Sequence, residues 1–249
     1  MPKRQRVMDQ DWGLSSSSSS CSSSDSSDDE GEFKPCGLFK LPFEIVSHIF
    51  ILSSNPNLPV VNQFLYRQLY YCSDSIKIRF LEHKYTPENV FEEAVKYPFF
   101  SLELLKRLDK LHNEKLSFKG KKIPARLFLE EPSESLRERD AIVLELLERG
   151  ACANRPKGFP LIKSAQLGRL DRVKLLIQFG ADPTIRNNMA LRVCAARNNK
   201  EMVLYFLDDL KVKPDSDTLK ACVQKNLWEM FQILVDHGGV PDMSTINST

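Results

Sequence analysis

A repeat with a period of 28 to 30 residues runs through the second half of the chain, and it constrains the fold more than any other feature. Each unit is predicted to hold a short helix with a small residue near its middle, a tight turn and a second apolar helix. One such hairpin cannot bury its apolar face, whereas several stacked hairpins can. The positions that align in three successive units are Leu161, Ala165, Gly168, Val173 and Leu176, then Leu191, Ala195, Asn198, Val203 and Phe206, then Leu219, Val223, Asn226, Phe231 and Leu234.

The turns of these units carry residues that tolerate a left-handed backbone. Gly168, Asn198 and Asn226 fall between the two helices of a unit, where glycine and asparagine adopt this conformation most readily. Gly180 and Gly238 are predicted to end the second helices as left-handed caps. The sequence therefore predicts helical hairpins with defined ends.

Two weaker units extend the pattern toward the N terminus. Val143 and Leu146 lie thirty residues before the aligned valine and leucine of the clearest unit. Residues 110–140 do not follow the period and are predicted to be irregular, with an insertion. We therefore predict an all-α chain with about five repeats over residues 85–242. The apolar positions of the earliest unit are Val90, Ala94, Tyr97, Leu104 and Leu105.

Residues 86–242 resemble ankyrin repeats, most clearly in LLIQFGADP at 175–183 and LLERGACAN at 146–154. The Thr-Pro-Leu-His motif of that family is replaced by FPLI at 159–162, so the hydrogen bonds of the Thr and His are expected to be missing. The period is also shorter than the family's value of about 33 residues, which implies shortened loops between units. The resemblance implies a degenerate solenoid whose repeats bind an unidentified protein target.

A separate apolar segment precedes the repeats. Leu41, Ile45, Ile49 and Leu52 recur at helical spacing and share one face of a predicted helix. A proline at the first turn suits the start of this helix, and Asn-Pro-Asn at 55–57 ends it. The apolar positions of a second predicted helix are Val60, Val61, Phe64, Leu65 and Leu69.

The sequence LPFEIVSHIFIL at 41–52, followed by VVNQFLY at 60–66, resembles an F-box, which opens with Leu-Pro-x-Glu and continues with an Ile-Phe pair. Asn-Leu-Pro at 57–59 replaces the acidic-Leu step of the motif, and no Trp closes it. The resemblance assigns 38–84 to an F-box-like segment and implies the substrate-recognition subunit of a Skp–cullin–F-box ubiquitin ligase. The residues it assigns to binding a Skp-family adaptor are Leu41, Pro42, Ile45, Ile49, Val61 and Phe64.

An alternative interpretation keeps the repeats without the ligase. The protein is then an ankyrin-repeat scaffold whose N-terminal helices only cap the first unit. A cap hides Ile45 and Ile49 against residues near Val90 and Ala94, whereas an F-box leaves an apolar patch exposed until the adaptor binds. Exposure of the first helix therefore distinguishes the two interpretations.

The N-terminal tail, residues 1–37, differs in composition from the rest. Eleven of the thirteen positions from 15 to 27 are serine, and three acidic residues follow. Such a tract buries too little apolar surface to offset its ordering entropy, so we predict disorder. Ser24 and Ser27 lie just before acidic residues and are candidate phosphorylation sites, with a solvating linker as the alternative.

No pattern of residues indicates an enzyme, a cofactor or a metal site. The four histidines lie far apart in the sequence, and the ten glycines form no phosphate-binding loop. The net charge of +2 argues against binding nucleic acid through bulk electrostatics. We therefore expect a non-enzymatic interaction protein that is monomeric outside its complexes.

The sequence also favours a cytoplasmic or nuclear location. The longest strongly apolar stretch, 45–52, is shorter than the roughly 20 residues of a membrane span. The six cysteines include no CxxC pair, which is typical of reduced intracellular thiols. Lys3, Arg4 and Arg6 resemble a minimal nuclear-import signal.

Charge is unevenly distributed in the irregular region. Residues 106–126 contain eight Lys and Arg against two acids, and 130–148 contain seven acids against two Arg. Two interpretations of the basic stretch are open. Either it binds an acidic partner or the chain's own phosphorylated tail, or it is a solvated insertion between repeats.

The remaining expectations concern the C-terminal half. Cys152, Cys194 and Cys222 fall where small apolar residues pack, which predicts buried, inert thiols. Trp228 begins a second helix and either packs on the preceding unit or anchors a partner. Residues 243–249 are predicted to be a frayed tail.

Overall fold

The computed structural model describes residues 37–113, 115–129 and 133–246. The predicted tail, with Ser24, Ser27 and the basic residues near the N terminus, lies outside the described residues except for Gly37. Gly37–Lys40 form one turn of 3-10 helix. The helices from residue 41 onward belong to one compact unit.

The all-α fold predicted from the sequence is confirmed. Among the described residues, extended pairing is limited to an isolated bridge between Lys122 and Cys152. Short 3-10 turns cover Leu58–Val61 and Ala125–Phe128, and a π-helical turn covers Tyr205–Asp209. The α-helices are α1 (Phe43–Ser53), α2 (Gln63–Tyr70), α3 (Asp74–Lys84), α4 (Val90–Ala94), α5 (Leu102–His112), α6 (Ser133–Glu148), α7 (Phe159–Gln166), α8 (Leu170–Gln178), α9 (Ile185–Ala196), α10 (Lys200–Leu204), α11 (Ser216–Val223), α12 (Trp228–Asp236) and α13 (Met243–Ile246).

The second half of the chain is a row of helical hairpins. Helices α7, α9, α11 and α13 pack side by side, and α8, α10 and α12 each pack against the first helix of their own unit. The aligned apolar positions of the first two predicted units are at most 1% exposed. In the third unit Phe231 is only half-buried, and Met230, one position earlier, is fully buried instead.

The predicted turn conformations are confirmed. Asn198 and Asn226 have φ angles of 56° and 57°, and Gly168 takes the same conformation with φ of 71°. The cap glycines Gly180 and Gly238 have φ angles of 81° and 87°. Each hairpin therefore reverses through one left-handed residue, as the Gly and Asn pattern indicates.

Residues 110–140 are irregular because one unit has lost most of its first helix. The 3-10 turn Ala125–Phe128 occupies that place and contacts both α6 and α7. The loop before it pairs with the loop after α6, since Gly120 N donates to Gly150 O at 2.9 Å. Packing of this 3-10 turn against its neighbours therefore keeps the repeat period in the unit whose first helix is missing.

Side-chain caps replace part of the hydrogen-bond network that was expected to be missing. The Asp215 side chain accepts a bond from Thr218 N at 3.0 Å, and Asp242 accepts one from Thr245 N at 2.8 Å. Thr218 and Thr245 are buried, so the threonine hydroxyls also need these partners. Met243–Ile246 form a short helix, and residues 247–249 of the predicted frayed tail lie outside the described residues.

A buried arginine joins α5, α6 and the loop between them. Arg149 donates to both carboxylate oxygens of Asp109 at 2.9 and 2.7 Å, to Glu145 at 2.9 Å and to Leu116 O at 3.0 Å. Its guanidinium carbon lies 5.5 Å from the ring centre of Phe91. The hydrogen bonds from Arg149 hold the pKa of Asp109 below its usual value.

A column of aromatic rings joins the N-terminal helices to the first hairpin. Phe50 of α1 stacks on Phe80 of α3, with ring centres 4.1 Å apart and an interplanar angle of 7°. Phe80 meets Tyr97 edge-on at 5.8 Å, and Tyr97 stacks on Phe99 at 4.9 Å. Burial, followed by a hydrogen bond with the hydroxyl of Tyr85, raises the pKa of Tyr97. This column makes α3 the connection between α1 and the repeats.

Replacement of Phe80 by Ala is expected to lower the free energy of unfolding by about 3–5 kcal/mol, because it leaves a cavity in this column. Urea denaturation followed by circular dichroism measures the change. The matched control is Leu52→Ala, since Leu52 is 69% exposed, and its effect is expected to stay within about 0.5 kcal/mol. Equal losses in the two variants would contradict the assignment of Phe80 to the joint.

Replacement of Asp109 by Asn is expected to destabilise the fold by about 2–3 kcal/mol at pH 7, because the buried guanidinium of Arg149 loses one of its charged partners. The pKa of Asp109 is lower in the folded chain than in the unfolded chain. Its stabilising effect is therefore complete at neutral pH and is lost as the pH falls through the folded pKa. Unfolding curves between neutral and acid pH should show the gap between wild type and variant closing below about pH 4.

The control for this titration is Glu88→Gln, at an exposed residue. Its free energy of unfolding at pH 7 should stay within about 0.5 kcal/mol of the wild-type value. A gap for Asp109→Asn that stays constant down to acid pH would show that the carboxylate charge does not contribute.

Candidate protein-interaction site

Helix α1 has one buried face and one exposed apolar face. Val46 and Phe50 are 1% exposed and carry the packing against α3. Ile45 is 48% exposed and Leu52 is 69% exposed, while Ile49 between them is half-buried. The apolar stripe predicted from the spacing of these residues is therefore not the core face of the helix.

The segment that follows α1 also presents apolar side chains to solvent. Val61 is 70% exposed and Phe64 is 40% exposed, whereas Leu65 and Leu69 of α2 are buried. The Asn62 side chain caps α2 by accepting a bond from the Phe64 amide at 2.7 Å. We give the name α1–α2 face to the exposed or half-buried apolar residues of α1, α2 and the segments next to them; its residues are Leu41, Pro42, Ile45, Ile49, Leu52, Val60, Val61 and Phe64.

Helix α3, and not the exposed stripe of α1, lies against the first hairpin. Ile78, Phe80 and Leu81 of α3 are buried, and α3 contacts α1, α4 and α5. Val90 and Ala94 are fully covered although Ile45 remains exposed. The first hairpin is therefore capped without use of the α1–α2 face.

Near the C terminus, Trp228 begins α12, as the sequence analysis predicts, and is 52% exposed. Its ring lies 6.2 Å from that of Phe231 in an edge-on arrangement. A shallow surface pocket beside it is lined by the turn residues Asn198 and Asn226. Trp228 thus lies next to the preceding unit without being buried by it.

The cysteines of the repeats divide into two kinds. Cys194 and Cys222 are fully buried, and burial raises their pKa values to about 12 and about 11. Cys152 was expected to be buried as well, but it is half-buried, because it lies in the loop that pairs with residue 122 and not on a helix.

We expect N-ethylmaleimide at pH 8 to modify Cys152 in the folded protein and to spare Cys194 and Cys222. The two buried thiols are both inaccessible and protonated at this pH. Mass spectrometry of the labelled peptides, with a urea-unfolded sample as control, measures this difference. Equal labelling of Cys194 and Cys152 in the folded state would contradict it.

Across 37–113, 115–129 and 133–246, no group of three or more His, Cys, Asp or Glu is placed to hold a metal ion. No helix within these ranges is both long enough and apolar enough to cross a bilayer.

Comparison with protein families gives two matches to parts of the chain. The model of ankyrin repeats (many copies) matches residues 161–207, which span α7 to α10. Residues 161–207 are therefore similar to ankyrin repeats. The model of the YDR249C N-terminal domain matches residues 40–69, which span α1 and most of α2. Searches of curated proteins and of solved structures found no match.

These matches bear on the two resemblances differently. The ankyrin resemblance is confirmed over two units of the solenoid, and ankyrin repeats support a role in protein interaction. The F-box resemblance is not confirmed by a match of that name, so the adaptor residues assigned from it stay predictions.

Proposed function

We propose that this chain is the substrate-recognition subunit of a Skp–cullin–F-box ubiquitin ligase. In this proposal the α1–α2 face binds a Skp-family adaptor and the ankyrin repeats hold the protein target. The chain performs no chemistry itself; it raises the effective concentration of the target near the ligase. A cytoplasmic or nuclear location follows from this role.

The observation that supports the proposal most directly is the exposure of the α1–α2 face. Leu52, Val60 and Val61 are each more than 60% exposed, and they lie close in sequence to Ile45 and Phe64. Clustered apolar exposure of this kind on a folded protein marks a site of association. The same helices bury Val46, Phe50, Leu65 and Leu69, so the exposed residues are not needed for the core.

The alternative, a capped ankyrin scaffold, is supported by the aromatic column. Phe80 and Tyr97 seal the first hairpin whether or not an adaptor binds. The scaffold explains α3 and leaves the exposed residues of α1 and α2 without a role. The ligase proposal accounts both for the packing of α3 and for the exposed apolar residues of α1 and α2.

Replacement of Ile45 and Ile49 together by Asp is expected to weaken binding of a purified Skp-family adaptor by at least about tenfold, because two carboxylates cannot be desolvated in an apolar interface. Biolayer interferometry with the full chain measures the affinity. Circular dichroism and thermal unfolding should show that the variant keeps its helices, because both positions are exposed or half-exposed.

The matched control places two carboxylates on α3, as Ser75→Asp with Arg79→Asp. Both residues are exposed and lie outside the α1–α2 face. This control should bind the adaptor as the wild type does. Failure of the folded wild type to bind any Skp-family adaptor would reject the ligase proposal and leave the capped scaffold.

A further inference from the structure

The loops between successive units lie side by side along one edge of the solenoid. Four loops are involved, at 119–124, 151–158, 181–188 and 211–215; the third runs into the first residues of α9, where 186–188 have non-helical backbone angles. Neighbouring loops are joined by direct hydrogen bonds, so their spacing is set by the repeat packing. These bonds run from Cys152 N to Lys121 O (2.9 Å), from Asp182 N to Asn154 Oδ1 (2.8 Å) and from Asn188 Nδ2 to Lys213 O (3.0 Å).

Every one of these loops carries exposed cationic side chains. Lys121 pairs with Glu92 of α4 at 2.6 Å. No carboxylate of the described residues lies within ion-pair distance of the other members. We call this set the basic loop edge; its residues are Lys119, Lys121, Lys122, Arg155, Lys157, Arg186, Lys211 and Lys213.

Acidic residues near the loops are engaged in local structure. Asp182 accepts bonds from both the amide and the hydroxyl of Thr184, at 2.8 and 2.7 Å. Asp215 and Asp217 both pair with Arg192, at 3.0 and 2.8 Å. Together with Glu92, these carboxylates give four negative charges against the eight cations of the basic loop edge and Arg192, so a positive excess remains along the edge.

The backbone gives a second reason to assign a role to these cations. Lys157, Arg186 and Lys211 have φ angles of 48°, 60° and 52°, in the left-handed region. Residues other than glycine, asparagine and aspartate seldom occupy that region, because their Cβ atoms crowd the backbone. Gly120 takes this conformation in the first loop. Lysine or arginine occupies three positions whose backbone would suit glycine better. This indicates that the positive charge of these side chains has a function.

On the side of the second helices, by contrast with the loops, two arginines form ion pairs with carboxylates. Arg107 pairs with Glu103 at 2.8 Å, and Arg169 pairs with Asp140 at 2.8 Å. Some of the positive charge on that side is therefore paired, whereas among the described residues of the basic loop edge Lys121 alone has a carboxylate partner. The basic stretch at 106–126 is therefore divided into two parts. Residues 119–122 belong to the basic loop edge, whereas Arg107 belongs to α5 and is paired with Glu103.

We infer that the basic loop edge binds an Asp- and Glu-rich segment of the target protein. This inference rests on the proposed role of the repeats in holding a target, and it assigns the chemical class of the segment recognised. A polypeptide fits better than a nucleic acid, because the four loops contain no aromatic residue on which bases could stack. The net charge of the whole chain is also only +2.

The test is the affinity of the full chain for a fluorescein-labelled peptide of alternating glutamate and glycine, measured by fluorescence anisotropy at about 0.15 M salt, where charges farther apart than about 8 Å are largely screened. The charge-reversal variant is Lys157→Glu with Arg186→Glu and Lys211→Glu, and we expect it to bind about tenfold more weakly or worse. The matched control reverses three exposed cations of α3 and α5, as Arg79→Glu with Lys106→Glu and Lys110→Glu. It should stay within about twofold of the wild type.

A second variant separates loss of charge from loss of folding. Lys157→Gly with Arg186→Gly and Lys211→Gly removes the charges and suits the left-handed backbone, so its thermal stability should equal or exceed that of the wild type. It should nevertheless lose binding of the glutamate peptide. Retained binding in this stable variant would overturn the inference.

Three other outcomes would also overturn it. They are failure of the wild type to bind the glutamate peptide, equal weakening by the loop and control variants, and tighter binding of a single-stranded oligothymidylate of matched charge. The last outcome would reassign the edge to nucleic acid. The variant Ile45→Asp with Ile49→Asp should bind the peptide as the wild type does, so the inference and the ligase proposal can fail separately.

Discussion

The stack of Phe50 on Phe80, continued edge-on by Tyr97, is the contact on which the arrangement of the N-terminal half depends. A solenoid leaves the apolar face of its terminal unit open unless another element covers it. Helix α3 provides that cover, and α1 is attached to α3 through Phe50 and Val46. Because α1 buries the face that carries these two residues, Ile45 and Leu52 stay exposed and available to a partner.

The repeats keep their period while their usual polar contacts are replaced. Asp215 with Thr218 and Asp242 with Thr245 cap the first helices of two units. Arg149 brings together α5, α6 and the loop between them where one unit has only a 3-10 turn as its first helix. Packing of apolar helices therefore defines the architecture, and local hydrogen bonds at different positions satisfy the buried polar groups.

Much of the fold could be predicted because it follows from local rules. The left-handed turns at Asn198 and Asn226 and the buried positions Leu161 and Leu191 follow from residue type and helical spacing. The shift of burial from Phe231 to Met230 could not be predicted, since both are apolar and lie on adjacent positions of one helix. The Asp and Thr residues spaced three apart could have predicted these helix caps from the sequence. The alignment of apolar repeat positions does not use them.

The sequence by itself determined the repeat period, the all-α class, the hairpin turns and the apolar stripe of α1, because each depends on residues within a few turns of one another. Only the tertiary structure decided which face of α1 is exposed and which residues form the basic loop edge. The exposed fraction of Ile45 depends on α3, more than thirty residues away at Phe80. Lys121 and Lys213 lie on the same edge because repeat packing places distant loops beside one another, and no local pattern encodes that proximity.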